Sequence, residues 1–168
     1  AEWDLILPNS SADEIANFRR TFFEGVYVYA EDIRTPFNIG SIFRTAESFG
    51  VEKVFLSHDC VSPESPKAKR TAMGCTEYLP WERTGLESLP DLPLIVLETG
   101  GTDISKFDFP KKGIVVIGSE ELGGSPEAVK KAQGRVITIP MYGIKASINV
   151  SVAFGICMQK WCEALTAD

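Results

Sequence analysis

Three short polar segments carry the side chains best able to do chemistry in this chain of 168 residues. The first, Asn38-Ile39-Gly40-Ser41-Ile42-Phe43-Arg44, offers an amide and a guanidinium. The second, Gly118-Ser119-Glu120-Glu121-Leu122-Gly123, offers a carboxylate at the end of an apolar run. The third contains Ser147-Ile148-Asn149, past the run that ends at Ile139. A carboxylate such as Glu120 can accept hydrogen bonds from a hydroxyl, an amine or a guanidinium, and Arg44 can hold an anion. Glycine at a strand end, as at Gly118, lets a ligand approach the backbone. The spacing matches neither a Walker loop nor a GxGxxG turn. With one histidine, His58, and four cysteines lacking a CxxC pair, the side chains speak against a metal centre.

Each segment also has a plainer reading. Asn38 could cap a helix that begins near Gly40. Arg44, among Phe43, Thr45 and Ala46, could sit in a buried ion pair, because an unpaired buried charge is costly. The Gly-rich turn at 118–124 could be only a tight connection, and Ser147 and Asn149 could cap the last helix. The connection 140–148 is longer than most strand–helix turns and could wrap a ligand.

The surrounding pattern alternates strands and helices. Ser11-Ala12-Asp13-Glu14 is a capping box that opens a helix through Ile15, Phe18, Phe22 and Phe23, with Gly25 ending it. Apolar, partly β-branched runs predict strands at 26–30, 53–57, 93–98, 113–118 and 136–139, with an edge strand near 77–81. A loop, Thr99-Gly100-Gly101-Thr102, follows the third of these. Ile42, Phe43, Ala46 and Phe49 have helical spacing, closed by Gly50. The polar stretch 62–74 holds a short helix, and Ser125-Pro126-Glu127 starts another with a cap, a first-turn proline and an acid. From Asn149 to Leu165 the helical pattern is apolar almost all round, which predicts burial on every side and a partner subunit over its outer face. The sum is a single α/β domain over residues 1–168, with a mostly parallel sheet flanked by helices and no linker, tandem repeat or low-complexity tract. In open sheets of this kind ligands bind where strands end and loops begin.

Apolar residues make up 44% and charged residues 24%, with a net charge of −6, so the chain is not a highly basic nucleic-acid binder. An anionic partner would need a local basic patch. No apolar stretch is long enough to span a bilayer, and Ala1-Glu2-Trp3-Asp4 does not open a secretory signal. Cys60, Cys75, Cys157 and Cys162 read as buried thiols in a reducing, cytoplasmic setting.

Taken together and in order, the three segments resemble motifs of the SpoU-type (TrmH-like) RNA ribose methyltransferases. Asn38-Ile-Gly-Ser-Ile-Phe-Arg44-Thr-Ala-Glu-Ser-Phe-Gly50-Val is similar to motif 1 and Gly118-Ser-Glu120-Glu-Leu-Gly123 to motif 2. Ile139-Pro140-Met141 with Ser147-Ile148-Asn149-Val-Ser-Val-Ala153 is similar to motif 3. The resemblance covers about residues 24 to 165 and implies the SPOUT fold, with a C-terminal trefoil knot and a homodimer whose site lies at the subunit interface. It implies S-adenosyl-methionine as cofactor, held by Gly118, Ile139 and Ile148, with Thr99, Gly100, Met141 and Ser147 as neighbours. Arg44 matches the family's arginine, proposed as base. Because a guanidinium barely deprotonates, holding the phosphate beside the target ribose is the better role for it. Asn38, Glu120 and Asn149 would orient Arg44, the ribose and the loops. Two positions depart from the family: Ile148 replaces a usual leucine, and Glu121 stands where a small residue is frequent.

The implied reaction is methyl transfer to a ribose 2′-hydroxyl of RNA, tRNA ahead of rRNA. RNA needs a basic surface. Lys67, Lys69 and Arg70 form the favoured cluster, with Arg19, Arg20 and Arg34 as further candidates. The alternative is a non-catalytic protein that binds RNA or S-adenosyl-methionine on the same fold. The acidic net charge leans towards that alternative, and the full motif set leans towards the enzyme.

Overall fold

The computed structural model describes residues 11, 13, 14, 17, 23–119 and 123–167. The capping box is present: the Glu14 N–H donates to Ser11 Oγ at 3.2 Å, and Glu14 Oε1 accepts from the Ser11 N–H at 3.4 Å. Phe18, Phe22, Arg19 and Arg20 fall outside the described residues.

Apolar β-branched runs form the strands, as their low helix preference and good packing on a pleated surface require. They are β1 (Val26–Ala30), β2 (Lys53–Leu56), β3 (Trp81–Arg83), β4 (Leu94–Asp103), β5 (Gly113–Ile117) and β6 (Val136–Thr138). Between them lie α1 (Pro36–Ser48), α2 (Pro66–Ala72), α3 (Pro126–Lys131) and the closing helix α4 (Val150–Thr166). The strands make one six-stranded sheet in the order β3-β2-β1-β5-β4-β6, every neighbouring pair parallel. Alternate residues divide its two faces. Val28, Leu56, Val115 and Ile117 pack with Ile39, Ile42 and Phe43 of α1 and Phe154, Met158 and Trp161 of α4. Tyr29, Phe55, Val96 and Val116 face the other way, towards Ala128 and Ala132. Both faces are therefore covered, as parallel sheets demand.

Three local expectations change. The motif 1 helix begins at Pro36 rather than near Gly40, with Thr35 as its N-cap. Proline at the first helical position has no N–H to leave unpaired and a φ already set for the helix. The last edge strand lies at 81–83, because 75–77 winds into a single 3₁₀ turn. The stretch 99–102 is not a free loop but the far half of β4, which resumes pairing with β6 after a bulge. Within one copy of the chain, α4 buries Phe154, Cys157, Met158 and Trp161 and leaves Val152 exposed, on the face for which a partner subunit is expected.

Gly40 shows why glycine sits inside a helix at some cost in propensity. A Cβ there would collide with Thr71 Oγ1 and the Ala68 carbonyl, so its absence lets α1 and α2 meet backbone to backbone. This contact places the polar helix α2 against the motif 1 helix.

Candidate active site

The chain turns back on itself at the C-terminal ends of β4, β5 and β6, where a cleft of about 240 Å³ opens. Leu97, Glu98 and Thr99 come from β4, and Ile117, Gly118, Ser119 and Gly123 from the end of β5. Thr138, Ile139 and Met141 follow β6, and Ala146, Ser147, Ile148, Val150 and Ala153 come from the last connection and α4. Segments far apart in sequence thus share one concave surface with apolar walls and a few hydroxyls, the usual character of a small-molecule site.

The β5 turn is tight. The Gly123 N–H donates to the Ser119 carbonyl at 3.0 Å, and a Cβ on Gly118 would collide with the Gly123 backbone. Gly123 itself has φ +68°, a left-handed conformation that glycine tolerates best. Beyond the turn, Ser125 caps α3 by accepting from the Ala128 N–H at 3.1 Å. Glu31, just past β1, accepts from the Ser125 N–H at 2.9 Å and from its hydroxyl at 2.7 Å. The end of β1 therefore anchors the far side of the turn that lines the cleft. Glu120 and Glu121 fall outside the described residues.

The β4 wall is shaped by its bulge. Leu97 and Thr102 both take Ile137 as their partner, so residues 98–101 are looped out between them. Thr138 holds the loop by accepting from the Gly101 N–H at 2.6 Å and donating to the Glu98 carbonyl at 2.5 Å. Gly100, at the bulge tip with φ +83°, has no atom within 4 Å of where a Cβ would stand and does not line the cleft. Of the seven residues expected around a cofactor, Thr99, Gly118, Ile139, Met141, Ser147 and Ile148 line the cleft and Gly100 alone does not.

Motif 1 meets motif 3 through a side-chain pair. The Asn149 amide donates from Nδ2 to Asn38 Oδ1 at 3.0 Å. Asn149 Oδ1 accepts from the Ser151 N–H at 2.9 Å and the Val152 N–H at 3.4 Å, which makes it the N-cap of α4. Asn38 is not a cap. It is buried in the first turn of α1, two residues after Pro36. Nor is Arg44 in a buried ion pair: it is exposed on α1, and its guanidinium has no partner among the described residues. With a rise of 1.5 Å per residue, Arg44 stands about 9 Å further along α1 than Asn38. It lines no part of the cleft described above.

Lys67, Lys69 and Arg70 are all exposed on α2, the helix that Gly40 brings against α1. Arg34 is engaged by Asp32, Nε to Oδ1 at 2.5 Å, so its charge is partly neutralised. His58 is exposed. Among the described residues no group of three or more His, Cys, Asp or Glu could hold a metal ion. No described helix is long and apolar enough to cross a membrane.

Sequence reasoning did not assign Leu97, Glu98, Ile117, Ser119, Gly123, Thr138, Ala146, Val150 or Ala153 to the cleft. Glu98 carried the best available signal, as the first charged residue after the buried run Leu94–Val96. Burial raises its carboxyl above the ordinary carboxylate range.

A family model described as the SpoU rRNA methylase family matches residues 25–159. An uncharacterized tRNA/rRNA methyltransferase of Synechocystis sp. is 34% identical over 150 residues, covering 80% of this chain and 53% of that protein. The tRNA (guanosine(18)-2′-O)-methyltransferase of Aquifex aeolicus is 30% identical over 143 residues, covering 78% of this chain and 65% of the other. The crystal structure of AdoMet-bound rRNA methyltransferase from Sinorhizobium meliloti superposes with a TM-score of 0.78 at 25% identity, over 86% of this chain and 58% of that one. The chain thus spans between about half and two thirds of the length of these three proteins.

Proposed function

This chain belongs to the SpoU rRNA methylase family, and on that premise we propose that it transfers a methyl group from S-adenosyl-methionine to a ribose 2′-hydroxyl of RNA, tRNA ahead of rRNA. The observation that carries this reading is convergence. The ends of β4, β5 and β6 and the start of α4 share one cleft, and Asn149 ties that cleft to the helix bearing Arg44.

The lining fits the cofactor's chemistry. Leu97, Ile117, Ile139, Met141 and Ile148 provide apolar walls for an adenine, and Gly118 lets a ligand lie against the backbone. Glu98 supplies negative charge for a cationic ligand. S-adenosyl-methionine brings the activated methyl group on its sulfonium. The protein contributes alignment of the reacting groups and stabilisation of developing charge. Arg44, exposed and without an ion-pair partner among the described residues, holds the phosphate next to the target ribose. Asn38 and Asn149 fix the approach of α1 to α4, and Glu120 orients the ribose or the Arg44 guanidinium. Lys67, Lys69 and Arg70 extend the anion-binding surface along α2. The trefoil knot implied by the family resemblance would gather the cleft loops.

A second copy of the chain completes the site in this proposal. A shallow groove between α1 and α4, lined by Thr45, Phe49, Val152 and Ile156, leaves apolar surface that a partner's α4 would cover. Sedimentation at micromolar concentration is expected to give a dimer, and a monomer contradicts this part of the reading.

The test of the reaction is incubation with methyl-labelled S-adenosyl-methionine and separate tRNA and rRNA pools, followed by digestion to nucleosides. Label in 2′-O-methyl nucleosides is expected, more from tRNA than from rRNA. Cofactor binding without transfer to either pool would favour a non-catalytic binding protein.

A further inference from the structure

Glu98 is the one ionisable side chain among the described residues that line the cleft. Its neighbours there are apolar groups and the hydroxyls of Thr99, Ser119, Thr138 and Ser147. No hydrogen bond or ion pair to its carboxylate is made by any described residue. Its backbone is fixed by the Thr138 hydroxyl. Its head lies against the Gly123-Gly124 backbone, since a Cβ on Gly123 would stand 3.2 Å from Oε1 and one on Gly124 3.7 Å from Oε2. Bulkier residues at 123 and 124 would crowd this carboxylate. Half-burial of an unpaired carboxylate costs free energy that nothing in the described chain offsets, and the raised protonation tendency of Glu98 is the mark of that cost. A cation in the cleft would offset it.

We propose that Glu98 makes the cleft charge-selective, holding a sulfonium methyl donor in preference to the neutral thioether left after transfer. This rests on the cofactor reading given above. In the transfer, the ribose 2′-oxygen forms a bond to the methyl carbon and its proton leaves to solvent. The carbon–sulfur bond breaks with its electron pair going to sulfur, so the positive charge on sulfur disappears. The attraction to Glu98 that favours the donor disappears in the same step, and the product is released from a cleft that no longer prefers it. Glu98 is thus a specificity-determining residue whose role is electrostatic.

The test is calorimetric binding of three probes to the wild type, Glu98→Gln and Glu98→Asp. The probes are S-adenosyl-methionine, S-adenosyl-homocysteine and sinefungin, an analogue with an ammonium-bearing carbon in place of the sulfonium. Glu98→Gln is expected to lower the affinity ratio of S-adenosyl-methionine to S-adenosyl-homocysteine by about tenfold, as loss of one close charge pair implies. Sinefungin is expected to follow the sulfonium, and Glu98→Asp to keep the preference. An unchanged ratio in Glu98→Gln overturns the inference. So does an equal loss for all three probes, which would assign Glu98 to a group they share, such as the ribose diol. Failure of the wild type to bind any probe would instead remove the cofactor reading, and this inference with it.

Discussion

The two segments that meet at the Asn38–Asn149 hydrogen bond are built in opposite ways. On one side, α1 is packed hard: Ile39, Ile42, Phe43 and Ala46 are buried, and Gly40 lets the α2 backbone touch it. From this rigid rod one cation, Arg44, points to solvent without a partner among the described residues. On the other side, the connection 139–149 is held mainly at its ends. Tyr142 and Ile144 are almost fully exposed although apolar, and Ile148 is exposed beside the cleft. The difference suits the two tasks of the proposed reaction. A group that must meet a reacting atom in a fixed place is carried on a well-packed helix, where position costs nothing further at the moment of reaction. A wall that must admit and release a ligand is carried on a segment with little burial of its own, drawn from the low-stability end of the structure.

Chemical labelling gives the widest contrast between the two builds. Burial on the inner face of α4 pushes the Cys157 thiol up to about 12, so at neutral pH it stays protonated as well as covered. A cysteine introduced by Ile144→Cys would keep an ordinary thiol pKa and full access. Site-resolved mass spectrometry after brief alkylation is expected to show at least about a thousandfold faster modification at 144 than at 157, from thiolate fraction alone. Comparable rates would mean that the core under α4 opens as readily as the loop.

Stability measurements sharpen the comparison further. Gly40→Val adds atoms where the Ala68 carbonyl and Thr71 Oγ1 already stand. Backbone cannot move aside as a side chain can, so the helix-propensity gain is outweighed and a loss of about 3 kcal/mol is expected from urea unfolding. Asn149→Ala removes the α4 cap and the bridge to Asn38 together, with an expected loss of about 2 kcal/mol. Ile144→Ala, at the exposed centre of the connection, is expected to change stability by less than about 0.5 kcal/mol. A large cost at Ile144 would show that the connection is packed in solution and would erase the contrast.

Much of this architecture was legible locally. The runs at β1 and β5, the Ser125-Pro126-Glu127 start of α3 and the Asn149 cap each depend on neighbours in sequence, and each appears as expected. The misreadings share another cause. Gly40 suggested a helix start because its use is tertiary: it serves the contact with Ala68 and Thr71 of α2. The β4 bulge is set by Thr138, whose hydroxyl bridges Gly101 and Glu98 across the sheet. Without that bridge, Gly100 looks like a cleft residue and Glu98 like an ordinary strand end. Arg44 misled for a third reason. Its neighbours in sequence are apolar, yet helical spacing turns it to the solvent side with Phe37, Ser41 and Ser48.

The proposed reaction divides the labour: the cleft binds the methyl donor and Arg44 acts on the RNA. Its most direct test is single-turnover methyl transfer to RNA by Arg44→Ala, with donor affinity measured on the same preparation. The expected result is transfer reduced at least about a hundredfold, with the dissociation constant for S-adenosyl-methionine within about twofold of wild type and an unchanged melting temperature. Transfer at the wild-type rate by Arg44→Ala would contradict the role proposed for this arginine.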